Sequence, residues 1–385
     1  MNVLQMYEPH SALFASPMGT LLTYGSKKRL FFTNASGLLT QQARQLLRAH
    51  PEVEYMVGLL PFNTNQPAQL LIPEQAHYTK GYSYAKNTTY APTAIQHIQA
   101  RPTAAVFEKQ VEQALAALQQ TPPLQKLVMA RHLDLQLSQA LDRTALLDAL
   151  WQKNPKGYTY AIPLDNSTDP ATFLGASPEL LLRKQANRVY LNPLAGTALR
   201  DLADPEQDQR IAQQLQASAK DRHEHAIVIE NILEALSPFC DHLTAAATPS
   251  LVSTATLWHL STEIHGELKS PYADALTLAL AVHPTPAVCG HPTLLARDLI
   301  ESIESEHRGF FAGAVGWMNQ AGDGEWAVAI RCAHYQNQQL RLSAGAGIVI
   351  GSDAQAERIE TGNKLRTMLN ALQIPDEQIQ QGITQ

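Results

Sequence analysis

Four charged residues and two histidines are crowded into the first turns of one predicted helix. The stretch begins at Ser218 and reads SAKDRHEHAIVIENILEAL. Asp221 and Glu224 are three residues apart, so both carboxylates would lie on one helical face. Ser218, three residues before Asp221, has the spacing of a capping box, and carboxylates near a helix N-terminus gain about 0.3–1 kcal/mol from the helix dipole. A helix cap explains this pattern completely, and one wall of a metal site is the alternative.

A second acidic pair has the same helical spacing. Glu357 and Glu360 lie in AERIETGNKL, and Lys364 follows Glu360 by four residues. Two such pairs could converge on Mg²⁺, which prefers oxygen ligands. Zinc is not favoured, because the histidines of HEH are two residues apart rather than the four of the zincin motif. The other interpretation is a solvated Glu360–Lys364 ion pair, worth only about 0.2–0.5 kcal/mol.

Polar residues also occur inside apolar, strand-like segments. Lys126 in QKLVMARHL and Glu179 in GASPELLLRK are interpreted most simply as charges at strand ends, and His259 in TLWHLS as a core histidine. Arg331, between Ile330 and Cys332, is the least ordinary placement. A guanidinium in an apolar strand requires a carboxylate, which the protein or a ligand can supply.

Two glycine-bearing turns could bring the backbone close to an anion. They are GAGIVIG at 345–351 and Gly196-Thr197 in NPLAGTA. Their spacing fits neither a Rossmann fingerprint nor a P-loop, so nucleotide binding is not predicted.

Composition narrows the class of protein. The chain has 385 residues, 45% of them hydrophobic and 17% charged, with a formal net charge of −6. It can therefore bury a large core, and it has no global attraction for nucleic acid or anionic lipid. Three widely spaced cysteines suit a reducing compartment. We expect a cytoplasmic protein, because neither a signal peptide nor an apolar run of membrane-spanning length is visible.

The predicted elements favour an α+β fold in one large domain over 1–385. Strands are predicted at LFFTNAS, VEYMVGLLPF and KLVMARHLDLQL, with two more in FLGASPELLLRKQANRVYLNPLAGTA around a turn at 185–187. Residues 63–93 are predicted to form a long excursion or exposed hairpin. Helices are predicted in RPTAAVFEKQVEQALAALQQ and LDRTALLDALWQKNP, near 205–220, 221–238 and 272–282, and from Ala354. GFFAGAVGWM, GEWAVAIRCAHYQ and QLRLSAGAGIVI are predicted to form a three-stranded antiparallel meander.

Nine of these fragments, in this order, resemble the chorismate-utilising enzymes, and among them the isochorismate synthases. They are KLVMAR, GASPELLLRK, PLAGTA, KDRHEH, TLWHL, HPTPAVCG, GEWAVAIRCA, SAGAGIV and ETGNKL. The resemblance implies a single domain of two antiparallel sheets packed face to face, with helices outside. It places the catalytic core at 106–370, and 1–105 would be an N-terminal portion of the sheets.

The resemblance also implies roles for individual residues. Lys126 would be the base that activates water for attack at C2 of chorismate, and Glu179 the acid that protonates the departing C4 hydroxyl. Burial would have to raise the pKa of Glu179 and lower that of Lys126. Mg²⁺ would be bound by Glu224 and Glu360, with support from Asp221 and Glu357. Substrate would be held by the following residues: Gly196, Thr197, His259, Ala287, Arg331, Ala346, Gly347 and Lys364.

Related enzymes provide the alternatives. Ammonia-using members usually carry threonine at the position of Ala287 and act with a glutamine amidotransferase, which we do not expect here. Salicylate synthases share the lysine and glutamate but release pyruvate. A non-catalytic chorismate-binding protein should have lost catalytic positions, and every matched position is filled. We therefore expect a monomeric, Mg²⁺-dependent isochorismate synthase. Its sequence motifs are nearer to those of the 2,3-dihydroxybenzoate siderophore type than to those of the menaquinone type.

Overall fold

Antiparallel pairing organises the strands of this chain into two large sheets and one small sheet. The computed structural model describes residues 3–33, 38–80 and 90–384. The strands in these ranges are β1 Leu13–Ser16, β2 Gly19–Tyr24, β3 Lys28–Thr33, β4 Tyr55–Leu60, β5 Pro67–Ile72, β6 Gln75–Lys80, β7 Ile95–Arg101, β8 Lys126–Leu137, β9 Tyr158–Pro163, β10 Thr172–Ser177, β11 Leu180–Gln185, β12 Arg188–Asn192, β13 Leu194–Leu199, β14 Cys240–Ala245, β15 Ser250–Ser253, β16 Leu257–Ser261, β17 Ile264–Leu268, β18 Gly290–His291, β19 Ala314–Asn319, β20 Gly324–Val328, β21 Cys332–Gln336 and β22 Gln339–Ile348.

Nine α-helices lie in the same described ranges, with short 3-10 turns at Val3–Met6 and Ser237–Phe239. The helices are α1 Leu39–Arg48, α2 Ala104–Gln120, α3 Arg143–Lys153, α4 Pro205–Ala217, α5 Ala219–Leu236, α6 Ala275–Val282, α7 Thr293–Ile303, α8 Ala354–Ala371 and α9 Asp376–Thr384.

The first large sheet has the order β18-β8-β22-β21-β10-β9-β1-β2-β6, with β7 also paired to β8. The second has the order β14-β17-β12-β11-β20-β19-β4-β5-β3. The small sheet has the order β13-β16-β15. Strands from the N-terminal 105 residues enter both large sheets, since β1 pairs with β9 and β4 pairs with β19.

The inner strands β1, β9 and β10 of the first sheet are buried on both faces, which explains their nearly continuous apolar sequences. Phe14 belongs to the core shared with the second sheet, whereas Leu13 belongs to a second core that includes residues of α3 and α8. Phe173 and Leu174 of β10 divide between the two cores in the same way. Because side chains alternate along a strand, neighbouring residues contribute to different layers. The α+β arrangement of facing antiparallel sheets with outer helices is therefore confirmed.

Both acidic pairs lie near capped helix N-termini. The Ser218 hydroxyl accepts a hydrogen bond from the Asp221 backbone N–H at 3.2 Å, which begins α5 and separates it from α4. The Asp353 side chain accepts one from the Ala356 N–H at 2.8 Å and begins α8. The predicted helix cap at Ser218 is thus confirmed, and it places the first acidic pair in the opening turns of α5.

Some predictions of how the strands are connected are wrong. The expected C-terminal meander is two hairpins in different sheets: β19 and β20 lie in the second sheet, and β21 and β22 in the first. The chain crosses between the sheets at Arg331, which has a positive φ of 51° and lies outside any strand. The segment predicted to hold two strands around 185–187 holds four, although the turn itself is confirmed between β11 and β12.

Residues 63–93 also differ from the predicted excursion. They contribute β5 to the second sheet and β6 to the first, because the apolar stretch at 68–72 pairs with both β3 and β4. The part of that prediction at 81–89 lies outside the described residues. Within the described ranges, no helix is both long and apolar enough to cross a membrane.

Packing between the first sheet and its helices should be a main source of stability. We predict that Leu174→Ala, at a fully buried position, lowers the free energy of unfolding by about 2–5 kcal/mol. Leu294→Ala, at a position that is 67% exposed on α7, should change it by no more than about 0.5 kcal/mol. Denaturant unfolding of both variants measures the difference, and equal losses would contradict this assignment of the core.

Candidate active site

A cavity opens where α5, α8, the small sheet and the end of β22 meet. Its empty volume is about 840 Å³. Its lining includes every residue that the sequence predicted for the site except Lys126 and Ala346. The structure thus brings together Glu179, Gly196, Thr197, Asp221, Glu224, His259, Ala287, Arg331, Gly347, Glu357, Glu360 and Lys364.

The two exceptions have simple geometric causes. On β22, Gly345 and Gly347 line the cavity, so the alternation of the strand turns the Ala346 side chain to the other face, where it is fully buried. Lys126 lies behind Gly347, with only 1% of its side chain exposed. A Cβ at Gly347 would lie 2.5 Å from Glu224 Oε1 and 3.1 Å from Lys126 Cε. The contact expected from Ala346 is one made by its backbone, which the burial of its side chain does not contradict, and Lys126 reaches the cavity only past a glycine.

Lys126 and Glu224 form a buried ion pair at the rear of the cavity. Lys126 Nζ lies 2.9 Å from Glu224 Oε1. Burial alone would raise the pKa of Glu224, but the charges of Lys126, Lys364 and Lys220 outweigh it, and the net pKa is lowered. Glu224 is therefore held as a carboxylate, the form that binds a metal ion.

The remaining acidic residues of α5 and α8 repel one another across the same wall. Burial, together with the charge of the neighbouring Glu360, raises the pKa of Glu357 to about 7. Burial also raises the pKa of Asp221, with Glu224 and Glu360 acting in the same direction. This concentration of carboxyl oxygens has the donor chemistry that Mg²⁺ prefers. Across the described ranges, however, no three acidic, histidine or cysteine side chains are close enough to form a complete set of metal ligands.

Two lysines offset part of this negative charge. Lys364 Nζ lies 2.6 Å from Glu360 Oε1 and donates a hydrogen bond to the Gly345 carbonyl at 2.8 Å. Lys220 Nζ lies 3.5 Å from Glu357 Oε1. The predicted Glu360–Lys364 pair is therefore present, but it lies in the cavity lining and also contacts β22.

Glu179 has a different environment from the other acids. It lies between β10 and β11 with 3% of its surface exposed, and its Oε1 accepts a hydrogen bond from the Leu194 N–H at 3.3 Å. Burial raises the pKa of Glu179 to about 7, although Lys126, Arg331 and Lys364 oppose that shift. A carboxyl group with this pKa can donate a proton near neutral pH.

Arg331 presents a cation to the cavity. Its side chain is buried, yet it makes no hydrogen bond or ion pair with the part of the chain that the structure describes. Burial lowers the pKa of Arg331 to about 10, so the guanidinium is still charged at neutral pH. A buried guanidinium without a protein partner is suited to an anionic ligand.

Thr197 and His259 are paired across the small sheet. Thr197 Oγ1 lies 3.1 Å from His259 Nδ1, and the two residues are opposite each other on β13 and β16. Burial, reinforced by Arg331 and Lys364, lowers the pKa of His259 well below its ordinary value. The histidine is therefore neutral. Gly196, next to Thr197, has a φ of 76°, which favours glycine and lets β13 approach Asp221 closely.

Several cavity residues were missed from the sequence. They include Ser343, Gly345, Lys220, Phe311 and Ala312. The sequence could have indicated Ser343 and Gly345, because they and Gly347 are spaced two residues apart and therefore lie on one face of a strand. Phe311 and Ala312 could not be found that way, since they precede β19 in an irregular segment.

The geometry can be compared with that of known proteins. A family model described as chorismate binding enzyme matches residues 41–373. The isochorismate synthase DhbC of Bacillus subtilis (strain 168) is 41% identical over 382 residues, covering 96% of this chain and 96% of that protein.

Solved structures agree with this match. DhbC from Bacillus anthracis, assigned as a 2,3-dihydroxybenzoate-specific isochorismate synthase, superposes with a TM-score of 0.90 at 39% identity, covering 97% of this chain and 99% of that one. Anthranilate synthase component I from Streptococcus pneumoniae superposes with a TM-score of 0.72 at 20% identity, covering 92% of each chain, which shows a shared fold.

The raised pKa of Glu179 makes stability depend on pH. Because its folded-state pKa is raised, its contribution is fully present below its ordinary pKa of 4.5 and is lost as pH rises through about 7. We predict that Glu179→Gln stabilises the protein relative to wild type by about 3 kcal/mol more at pH 8 than at pH 4.5. Denaturant unfolding at both values tests this, with the exposed Glu234→Gln as a control for the change in total charge. If the free energy of unfolding changed with pH by the same amount in Glu179→Gln and in wild type, the prediction would be contradicted.

Proposed function

Since the chain belongs to the chorismate-binding enzyme family, we propose that it converts chorismate to isochorismate, which makes it an isomerase. Water adds at C2 of the ring, the C4 hydroxyl departs as water, and the double bonds shift. One water molecule is consumed and one is released, so the reaction is balanced without a further reactant.

One observation carries this proposal: a buried acid with a pKa of about 7, Glu179, shares a cavity with an unpartnered cation, Arg331. Chorismate bears carboxylates for the cation and a hydroxyl that must be protonated to leave. Glu179 stays protonated because it is buried and not because a second acid lies beside it, since desolvation is the largest influence on its pKa. It is therefore available to the leaving group at neutral pH.

The two proton transfers are assigned to two different residues. Glu179 donates its proton to the C4 oxygen as the C–O bond breaks. Lys126 is the base that removes a proton from the water that attacks C2. After the reaction Lys126 carries one proton more and Glu179 one fewer, and exchange with solvent restores both. Gly347 separates Lys126 from the cavity, and a side chain there would crowd both groups, since its Cβ would lie 3.1 Å from Lys126 Cε and 2.5 Å from Glu224 Oε1.

Mg²⁺ is proposed as the cofactor, bound by Glu224 and Glu360 with Asp221 and Glu357 in support. When bound, it would neutralise these carboxylates and hold a carboxylate of the substrate. Glu224 is the most suitable ligand, because its pKa is lowered and it is ionised at neutral pH. The other substrate contacts are proposed for Arg331, Lys364, Thr197 and the backbone near Gly196.

The metabolic assignment follows from the relatives. We propose that the isochorismate is used for 2,3-dihydroxybenzoate of catechol siderophores, supported by the match to DhbC along nearly the whole chain. A monomeric cytoplasmic enzyme that acts without an amidotransferase subunit completes the proposal.

Product analysis tests the function directly. We predict that the purified protein, incubated with chorismate and Mg²⁺, forms isochorismate alone and that a chelator abolishes the conversion. Chromatography, with pyruvate followed separately and with ammonium added in parallel, measures the outcome. Salicylate with pyruvate would indicate a salicylate synthase, anthranilate would mean that ammonia is used, and unchanged chorismate would indicate a binding protein.

The catalytic roles predict the effects of two substitutions. Glu179→Gln and Lys126→Ala should each lower kcat by about 100-fold or more, because a positioned acid or base typically contributes about 10²–10⁴ in rate. Lys109→Ala, on the exposed surface of α2, is the control for loss of a lysine and should leave kcat unchanged. Turnover within a few-fold of wild type in either active-site variant, with the fold intact by circular dichroism, would overturn that residue's role.

A further inference from the structure

Ser343 is a polar cavity residue with no role in the mechanism above. It lies on β22, on the same strand face as Gly345 and Gly347, and lines the cavity. Its neighbours across the sheet are His132 on β8 and Cys332 on β21. Because Cys332 directly follows Arg331, Ser343 lies beside the strand that begins at the unpartnered cation.

The Ser343 hydroxyl is held by a buried histidine. His132 Nδ1 lies 2.8 Å from Ser343 Oγ. The His132 ring also meets Phe311, another cavity residue, edge to face at a centroid distance of 6.0 Å. Burial, together with the charges of the nearby Arg341 and Arg308, lowers the pKa of His132 to about 3. The ring is therefore neutral at physiological pH.

The surroundings of the ring indicate which nitrogen carries its proton. His132 Nε2 is buried and has no hydrogen-bond partner among the residues that the structure describes. A proton on Nε2 would leave a buried N–H donor without an acceptor, an arrangement that folded proteins rarely contain. A proton on Nδ1 is instead donated to Ser343 Oγ. The hydroxyl hydrogen of Ser343 is then not used by His132 and can be donated into the cavity.

We propose that Ser343, oriented by His132, donates a hydrogen bond to a carboxylate oxygen of the substrate on the side of the cavity where Arg331 lies. This inference rests on the proposed function, because it takes chorismate as the ligand. Arg331 attracts an anionic group to this side, and a hydroxyl donor beside it adds a directed contact. Ser343 is thus a substrate-binding residue, and His132 is a positioning residue that acts through it.

Steady-state kinetics test the contact. Ser343→Ala should raise the KM for chorismate about 10-fold or more and leave kcat within about threefold, because a hydrogen bond to a charged group is lost while the acid and base remain. Ser11→Ala, which removes a buried hydroxyl outside the cavity, is the matched control and should leave both constants unchanged. A fall in thermal stability with unchanged KM would show a structural role only and overturn the proposal.

The role of His132 is tested by a double-mutant cycle. His132→Phe keeps an aromatic ring against Phe311 but removes the Nδ1 donor, so it should also raise KM. The KM of the double variant should be no higher than that of Ser343→Ala alone, because both substitutions remove the same contact. Fully multiplicative effects would overturn the coupling. If His132→Phe does not fold, the Ser343→Ala result alone decides the proposal.

Direct binding separates this inference from the proposed function. Titration calorimetry with chorismate, using Glu179→Gln to prevent turnover, should give a Kd that rises about 10-fold when Ser343→Ala is added. If the wild-type enzyme converts chorismate but Ser343→Ala changes neither KM nor Kd, only this inference fails. If chorismate is neither bound nor converted by the wild-type protein, the proposed function fails and this inference fails with it.

Discussion

The buried ion pair between Lys126 and Glu224 is the interaction on which the cavity depends. It joins the beginning of β8 in the first sheet to the opening turns of α5, two elements distant in sequence. Burying two charges costs several kcal/mol each, and only close pairing offsets that cost. Gly347 leaves room for the pair, since a Cβ there would lie 2.5 Å from Glu224 Oε1 and would force that carboxylate to shift. The lysine proposed as the base, a carboxylate proposed as a metal ligand and a glycine therefore lie in contact at one point.

Charge in the cavity is balanced in number but separated in space. Apart from Glu179, four acidic side chains and four basic side chains lie in or directly behind the lining, namely Asp221, Glu224, Glu357 and Glu360 together with Lys126, Lys220, Arg331 and Lys364. The carboxyl groups are concentrated on α5 and α8, where burial and then their mutual repulsion raise the pKa of Glu357 and Asp221. Arg331, at the sheet crossover, forms no ion pair with the residues that the structure describes, although the charges of Glu360 and Glu179 act on it. A divalent cation and a substrate dianion would add no net charge, and each would reduce the imbalance at its own side.

Sequence patterns predicted those features of the structure that depend on contacts between residues close in the chain. The Ser218 cap, the acidic pairs at helical spacing and the turn at 185–187 all follow from contacts within a few residues. The crossover at Arg331 could not be predicted, because an apolar run with one arginine is typical of a continuous strand, and only the tertiary fold assigns its halves to different sheets. The Lys126–Glu224 pair was missed for the same reason, since no local pattern links residues 98 positions apart.

The cavity exists because small side chains stand where a core would otherwise be filled. Gly345, Gly347, Ala287 and Ala312 line it, although their neighbours along the chain belong to well-packed elements. Protein interiors are close-packed, so a space of this size persists only if the surrounding layers cannot collapse into it. Here two sheets and the capped helices α5 and α8 hold the walls apart. The same rigidity keeps Glu179 buried, so its raised pKa and the room for a ring substrate have one structural cause.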